Sequence, residues 1–186
     1  MTDYFALLQQ PRKPWLDPEK LKDEYHRRTK ADHPDRYPAA NPASDFASVN
    51  EAFRVLADPK LRLQHLLVLE GAPVTTEKIP AELTDAFLET GAVIQEIDRL
   101  LAKLSTNALG RALLRPEILE KQQRAAELLE KLREMSGQAM DQLKRCDLEW
   151  AAHRKDLPAL AALSSRLAYL GRWIAQMEER IFQLSI

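Results

Sequence analysis

The chain has 186 residues, of which 45% are hydrophobic and 30% charged, and its formal net charge is −1. This length predicts one or two domains with a core of ordinary size, and the balanced charge does not indicate a nucleic-acid-binding protein. Only five glycines occur and they lie far apart, so no glycine-rich phosphate-binding loop can form. The single cysteine, Cys146, excludes an intramolecular disulfide and a cysteine-cluster zinc site.

The residue types favour helix, since Leu, Ala, Glu, Lys and Arg are abundant and few residues are β-branched or aromatic. No apolar stretch approaches the roughly 20 residues that a transmembrane helix needs. The N-terminal stretch MTDYFALLQQPRK lacks the basic start and apolar run of a secretory signal. We therefore expect an all-α, cytoplasmic protein, and we predict no cofactor and no metal site.

The first part of the chain, residues 1–71, predicts a compact set of short helices. TDYFALL predicts a short helix or turn near the start. A longer helix is expected from Pro18 to about Asp32, because Asp17 suits the N-cap and proline suits the first helical position. Pro34 disfavours helical geometry at His33, so this helix has to end there.

Two more helices follow the loop. The stretch SDFASVNEAFRVLAD spaces its apolar residues by three and four, which predicts a helix. Asp58 and Pro59 begin the next one, and Gly71 ends it. The stretch GAPVTTEKIP then predicts a linker over residues 72–80, because it is rich in Gly, Pro and Thr.

Residues 81–186 predict three long helices with apolar seams of the coiled-coil type, which implies an antiparallel three-helix bundle. The second seam runs from Ile118 to Trp150 and the third from Leu160 to Leu184. Cys146 lies on the second seam and is expected in the core. The first seam consists of Leu83, Phe87, Thr90, Ile94, Ile97, Leu101 and Leu104.

The tripeptide His33-Pro34-Asp35 in the loop calls for an explanation. A histidine and an aspartate could act as acid and base, but no nucleophile or metal set accompanies them elsewhere in the sequence. Recognition is the stronger reading, because proline fixes the backbone and Asp35 can meet an arginine of a partner. The sequence therefore favours a binding protein over an enzyme.

The order DYFALL, LKDEYHRR, HPDRYP and DFASVNEAFRVLADPKLR resembles the J-domain of DnaJ-type co-chaperones over about the first 70 residues. This resemblance implies an antiparallel helical hairpin that displays His33, Pro34 and Asp35 to a DnaK-type ATPase of the heat shock protein 70 class. The resemblance further implies that docking there triggers hydrolysis of the partner's ATP and that the J-protein itself binds no nucleotide.

The resemblance also implies that a basic face before the loop contributes to chaperone binding, although an ordinary solvated face is the alternative. The residues concerned are Lys22, His26, Arg27, Lys30 and Arg36. The chain departs from the J-domain pattern at Arg28, where an apolar residue is usual, and at Asp32, where an aromatic residue is usual. These departures suggest a less stable or more weakly docked J-domain.

A J-domain followed directly by a small helical bundle resembles the HscB type of co-chaperone, which acts in iron–sulfur cluster assembly. AELTDAFLETGAVIQEIDRLL and SSRLAYLGRWIAQMEERIFQL resemble its first and last bundle helices. In that type the bundle binds the scaffold protein IscU through apolar, acidic and aromatic residues. Phe87, Leu88 and Tyr169 fall on apolar and aromatic contacts, whereas Gly91 replaces a leucine and Ala92, Gln95 and Arg99 replace glutamates.

These changes leave three readings open. The first is a co-chaperone that delivers an iron–sulfur scaffold protein to a DnaK/HscA-type chaperone. The second keeps the co-chaperone class with a different client, because the scaffold-binding face has changed. The third is a helical interaction protein that no longer activates a chaperone.

Overall fold

The computed structural model describes residues 2–31, 42–72, 79–103, 108–152 and 156–185, the side chains of 31, 42–45 and 108–111 excepted. Within these ranges every regular element is a helix, which confirms the all-α prediction. A short 3-10 helix spans Ala81–Leu83. The α-helices are α1 (Tyr4–Leu7), α2 (Pro18–Ala31), α3 (Pro42–Ala57), α4 (Pro59–Leu69), α5 (Thr84–Lys103), α6 (Ala108–Ala151) and α7 (Leu157–Ser185).

The starts of α2 and α4 follow from aspartate caps, as the sequence predicts. The Asp17 carboxylate accepts a hydrogen bond from the backbone N–H of Glu19 at 3.0 Å. Asp58 accepts from the N–H groups of Lys60 at 2.8 Å and Leu61 at 3.1 Å. Each cap satisfies amide groups that have no partner inside the helix.

The end of α4 depends on Gly71, whose φ of 72° lies in the left-handed region. The N–H of Gly71 donates to the carbonyl of Val68 at 3.1 Å, and the N–H of Ala72 donates to Leu67 at 2.8 Å. This pair of bonds is a Schellman motif, which favours glycine at the left-handed position.

The chain divides into two compact units, and α6 and α7 each contribute to both. The first unit comprises residues 1–75 and 141–165, and the second comprises residues 76–140 and 166–186. Most of the predicted linker, residues 73–78, lies outside the described residues. The boundaries expected from the sequence, 1–71 and 81–186 around that linker, stay a prediction.

In the first unit α2 packs on α3 as the predicted helical hairpin. The Tyr25 ring stacks on Phe53 at 4.2 Å between centroids, and its hydroxyl donates to Asn50 at 2.8 Å. Leu21 and Leu56 are buried in the core of this unit. The hairpin is therefore held by apolar packing with one satisfied hydroxyl.

In the second unit ion pairs show that α6 runs antiparallel to both α5 and α7. Successive residues along α5 or α7 contact successively earlier residues of α6. Asp98 of α5 pairs with Arg180 of α7 at 2.7 Å, and these two helices run parallel. Between α5 and α6 the pairs are Glu89–Lys131 (2.6 Å) and Glu96–Arg124 (2.7 Å). Between α6 and α7, Arg133 pairs with Glu178 at 2.9 Å, and the Gln122 amide donates a hydrogen bond to Ser185 at 3.2 Å.

The seam predicted for α5 is partly wrong. Leu83, Thr90 and Ile97 are buried as expected, but the neighbouring positions Ala86, Val93 and Leu100 complete the core. Phe87 is 43% exposed and is not a core residue. Ile94 and Leu101 are only half-buried against the core, and Leu104 lies outside the described residues.

The seams of α6 and α7 are largely as predicted. The residues Ala125, Leu132, Ala139, Leu143, Leu160, Leu163, Leu170, Met177 and Leu184 are buried. Cys146 is half-buried rather than a full core residue. None of the described helices has the length and apolar content needed to cross a bilayer.

Candidate functional site

The predicted loop lies between α2, which ends at Ala31, and α3, which begins at Pro42. His33, Pro34, Asp35 and Arg36 fall outside the described residues. The structure therefore gives the two helices that flank the tripeptide, while the role of the tripeptide itself stays a prediction.

The basic face of α2 is exposed to solvent. Lys22, His26, Arg27 and Lys30 all lie at the surface. Three of them, His26, Arg27 and Lys30, line an open depression together with Asp23. The spacing of four residues brings successive side chains onto one side of the helix. The geometry thus provides an accessible, mainly basic surface on α2.

Arg27 is the member of this face whose charge is already engaged. Its guanidinium contacts Glu24 at 2.6 Å and donates to the Gln9 side chain at 2.9 Å. The hydrogen bond from Arg27 lowers the pKa of Glu24 against the effect of burial. Neither Lys22 nor Lys30 forms an ion pair with another residue that the structure describes. These two lysines therefore carry charge that no ion pair with a described residue compensates.

Arg28, a departure from the J-domain pattern, is accommodated by the same carboxylate. Its Nε lies 3.3 Å from Glu24, one helical turn earlier. The guanidinium therefore remains paired at the surface of the hairpin instead of packing as an apolar residue would. Asp32, the other departure, lies outside the described residues.

The connection between α1 and α2 is held by the C-terminal part of α6. The indole N–H of Trp150 donates to the backbone carbonyl of Arg12 at 3.0 Å. Asp147 accepts from the Lys13 ammonium at 3.1 Å and from the Trp15 backbone N–H at 3.1 Å. These contacts lie within the first unit and join residues more than 130 positions apart. The sequence analysis did not predict them.

A buried arginine of α4 also binds the connection between α1 and α2. Arg62 is only 3% exposed, and its Nε donates to the carbonyl of Pro14 at 2.8 Å. Its Nη1 donates to the carbonyl of Leu56 at 2.6 Å. Burial lowers the pKa of Arg62 to about 10, although Asp58 and Asp147 oppose that shift. The arginine stays charged at neutral pH and is satisfied by backbone carbonyls.

His65 ties the start of the chain to α4. Its Nε2 accepts a hydrogen bond from the backbone N–H of Tyr4 at 3.1 Å. Its ring stacks on Tyr4 at 4.6 Å and on Phe5 at 5.7 Å. Burial lowers the pKa of His65, which Asp3 opposes and Arg12 reinforces. The accepting Nε2 requires the neutral imidazole, so this histidine has a structural role.

Two of the three predicted client residues converge in the bundle. Trp173, which is buried, lies 6.1 Å from the Phe87 ring and 5.7 Å from the Tyr169 ring. Leu88 follows Phe87 in α5 and is 62% exposed. We call Phe87, Leu88, Tyr169 and Trp173 the aromatic patch. Trp173 was missed, although it lies three residues after Leu170 and so fits the seam spacing.

A cationic side chain lies against the aromatic patch. The Arg172 guanidinium lies 5.9 Å from the centroid of the Tyr169 ring. Ala92, Gln95 and Arg99 are exposed along α5. The acidic side chains Glu89 and Glu96 pair with α6 instead. The patch is therefore apolar with a cationic edge.

Among the described residues, no three His, Cys, Asp or Glu side chains are grouped so that they could hold a metal ion. Burial raises the pKa of the Cys146 thiol, and Glu149 adds to that effect. A raised pKa reduces the thiolate fraction on which cysteine reactivity depends.

The chain is similar to a known domain family and to known co-chaperone proteins. Residues 3–65 match the DnaJ domain family. The co-chaperone protein HscB of Proteus mirabilis is 29% identical over 102 residues, covering 52% of this chain and 59% of that protein. The HscB homolog of Bordetella petrii is 30% identical over 119 residues, covering 54% of this chain and 70% of that protein.

The match to the Proteus mirabilis protein thus spans less than two thirds of that relative. The solved structure of chaperone HscB from Vibrio cholerae resembles this chain with a TM-score of 0.65. The likeness covers 98% of this chain and 99% of that one at 20% identity. At this identity the likeness shows a shared fold.

Proposed function

The chain belongs to the HscB family of co-chaperone proteins, and we propose that it stimulates ATP hydrolysis by a DnaK/HscA-type chaperone. The chemistry of hydrolysis is the partner's, and this chain acts by docking. His33, Pro34 and Asp35 contact the ATPase. The observation that carries the proposal is the DnaJ domain match over residues 3–65, which includes α2, α3 and the connection between them.

The exposed face of α2 supports the docking step. Lys22 and Lys30 are solvent-accessible, and they form no ion pair with another described residue. Such charges attract an acidic surface over distances up to about 10 Å at 0.1 M salt. They raise the association rate more than they stabilise the final complex. His26, Arg27 and Arg36 complete the proposed docking surface.

The proposed client is an iron–sulfur scaffold protein of the IscU type, bound by Phe87, Leu88 and Tyr169. Support comes from exposure, because Phe87 and Leu88 place apolar surface in water on one helix. The Trp173 ring packs against the rings of Phe87 and Tyr169. We propose that this delivery takes place in the cytoplasm.

A different client is the second candidate. The observation that favours it is the composition of α5, where Ala92, Gln95 and Arg99 are exposed and both Glu89 and Glu96 are engaged by α6. A client that depends on acidic contacts from this helix would bind weakly. The co-chaperone activity would be unchanged in this case.

The test is a reconstituted ATPase assay. A purified DnaK/HscA-type chaperone is assayed with this chain, with the IscU-type scaffold, and with both together. Stimulation by this chain, increased further by the scaffold, supports the first proposal. Stimulation without any scaffold effect or binding supports a different client. An unchanged ATPase rate contradicts co-chaperone activity.

A further inference from the structure

Gln9, just after α1, has a backbone conformation that residues other than glycine rarely adopt. Its φ of 48° lies in the left-handed region, and no other non-glycine residue that the structure describes has a positive φ. A side chain with a Cβ atom is crowded in this region, so glycine or asparagine is usual there. A glutamine held in this conformation is a candidate for a functional role of its side chain.

The turn itself does not require a glutamine. The backbone N–H of Gln9 donates to the carbonyl of Ala6 at 3.2 Å, and the N–H of Gln10 donates to Phe5 at 2.8 Å. This is the same Schellman motif that ends α4, where Gly71 occupies the left-handed position. Glycine would therefore serve this turn at least as well as glutamine.

The side chain of Gln9 reaches the proposed docking surface on α2. Its Oε1 accepts a hydrogen bond from Nη2 of Arg27 at 2.9 Å, across 18 positions of the sequence. Gln9 and Arg27 are both exposed, so a partner can approach this contact. Arg27 also lines the open depression formed with His26 and Lys30. The turn after α1 is thus connected to the basic face of α2.

Arg27 is held along one edge of its guanidinium group. Nε donates to one carboxylate oxygen of Glu24 at 2.8 Å, and Nη2 donates to the other at 2.6 Å. Nη2 therefore serves both Glu24 and Gln9. A guanidinium has five N–H donors, two of which belong to Nη1. Nη1 makes no hydrogen bond with another described residue, so it is available to a partner.

Glu24 does not cancel the charge of Arg27, because it also binds a second arginine. The Nε of Arg28 lies 3.3 Å from the Glu24 oxygen that accepts from Arg27 Nη2. One carboxylate therefore serves two guanidinium groups, and the group of three keeps a positive charge. The neutral amide of Gln9 adds a contact that restrains Arg27 without reducing this charge.

We propose that Gln9 is a positioning residue for chaperone docking, whose side chain orders Arg27 so that Nη1 meets a carboxylate of the DnaK/HscA-type chaperone. This inference rests on the proposed co-chaperone function. A side chain that is ordered before docking loses less rotamer freedom when the partner binds. Gln9 thus combines a locally unfavourable backbone conformation with an ordered binding residue.

Substitution of Gln9 separates fold stability from docking. Gln9→Gly removes the contact with Arg27 and suits the left-handed backbone, so the melting temperature should stay unchanged or rise by up to about 4 °C. The concentration of this chain that gives half-maximal stimulation of the purified chaperone's ATPase should rise roughly two- to fivefold. The maximal rate should be unchanged, because the His33-Pro34-Asp35 loop is intact. Gln9→Asn, which tolerates this conformation but is one methylene shorter, should behave in the same way.

A double-mutant cycle distinguishes positioning of Arg27 from a merely structural role. Gln9→Asn should raise the half-maximal concentration in the wild-type background and have no further effect in an Arg27→Ala background. Gln123→Asn is the matched control, since Gln123 binds an exposed carboxylate on α6 outside the DnaJ domain match. This control should leave the half-maximal concentration unchanged.

The outcomes distinguish this inference from the proposed function. Wild-type half-maximal concentrations for folded Gln9→Gly and Gln9→Asn protein would overturn the positioning role and leave the co-chaperone function standing. The same increase in the wild-type and Arg27→Ala backgrounds would also overturn it. A wild-type chain that does not stimulate the chaperone contradicts the proposed function, and the inference with it.

Discussion

The indole N–H of Trp150 donates a hydrogen bond to the backbone carbonyl of Arg12 at 3.0 Å, across 138 positions of the sequence. Asp147, on the preceding turn of α6, binds Lys13 and the backbone N–H of Trp15. The segment that leads into α2 is therefore part of a compact unit that includes residues 141–165. Stability of the J-domain region should depend on side chains of α6.

Replacing Asp147 tests this dependence. Asp147→Ala leaves the Trp15 N–H without its acceptor and Lys13 without its ion pair, and we expect a loss of about 1–3 kcal/mol in the free energy of unfolding. Chemical denaturation measures it. Asp141→Ala is the control on the same helix, because among the described residues Asp141 makes just one ion pair, an exposed one with Lys144. That control should change stability by less than about 0.5 kcal/mol. Equal effects of the two substitutions would contradict a specific stabilising role of Asp147.

The lowered pKa of His65 predicts how the free energy of unfolding changes with pH. Burial lowers its pKa in the folded state below the usual 6.5, so the unfolded chain binds more protons as pH falls. Its contribution is therefore fully present above about pH 6.5 and is lost as pH falls from there through the lowered pKa. Stability measured at pH 7, 6 and 5 should decline, and His65→Phe should flatten the decline. An NMR titration that places the His65 pKa at or above 6.5 would contradict this.

Local chemistry in the sequence predicted the ends of helices. Asp17, Asp58 and Gly71 act through neighbours within a few residues, so their roles follow from residue type and spacing. The same reasoning predicted the seams of α6 and α7. Helical spacing also gave Leu88 as a residue off the seam, and it is largely exposed.

Spacing could not choose between adjacent apolar positions in α5. Phe87 and Ala86 both fit a seam of threes and fours, and only packing against the other helices buries the alanine and exposes the phenylalanine. The burial of Arg62 and its bond to Pro14 had no sequence signal either, because helical periodicity does not say which segments meet in space. The role of Asp147 was hidden for the same reason.

Leu88 provides a test of client binding by the aromatic patch. Since its side chain is mostly in water, Leu88→Ala should change the free energy of unfolding by less than about 0.5 kcal/mol, not the 2–5 kcal/mol of a buried leucine. Binding of the IscU-type scaffold should weaken at least roughly fivefold. Leu148→Ala, at a position 73% exposed, is the control that should leave binding intact. Matching losses of affinity in both variants would rule out a specific patch.

The basic face of α2 can be tested by charge reversal. Lys30→Glu should weaken association with the DnaK/HscA-type chaperone mainly through a slower association rate, and the effect should shrink as salt rises. Lys144→Glu makes the same charge change at an exposed position of α6, outside the basic face of α2. Stopped-flow kinetics at two salt concentrations compares them. Equal slowing by the two reversals would mean that only net charge matters.

The central claim is that the loop between α2 and α3 stimulates ATP hydrolysis by the DnaK/HscA-type chaperone. The steady-state ATPase rate of that chaperone tests it most directly. His33→Gln and Asp35→Asn should abolish the stimulation given by the wild-type chain while helical content and melting temperature stay unchanged. His153→Gln makes the same chemical change outside the DnaJ domain match and should stimulate normally. Full stimulation by folded His33→Gln or Asp35→Asn protein would contradict the account.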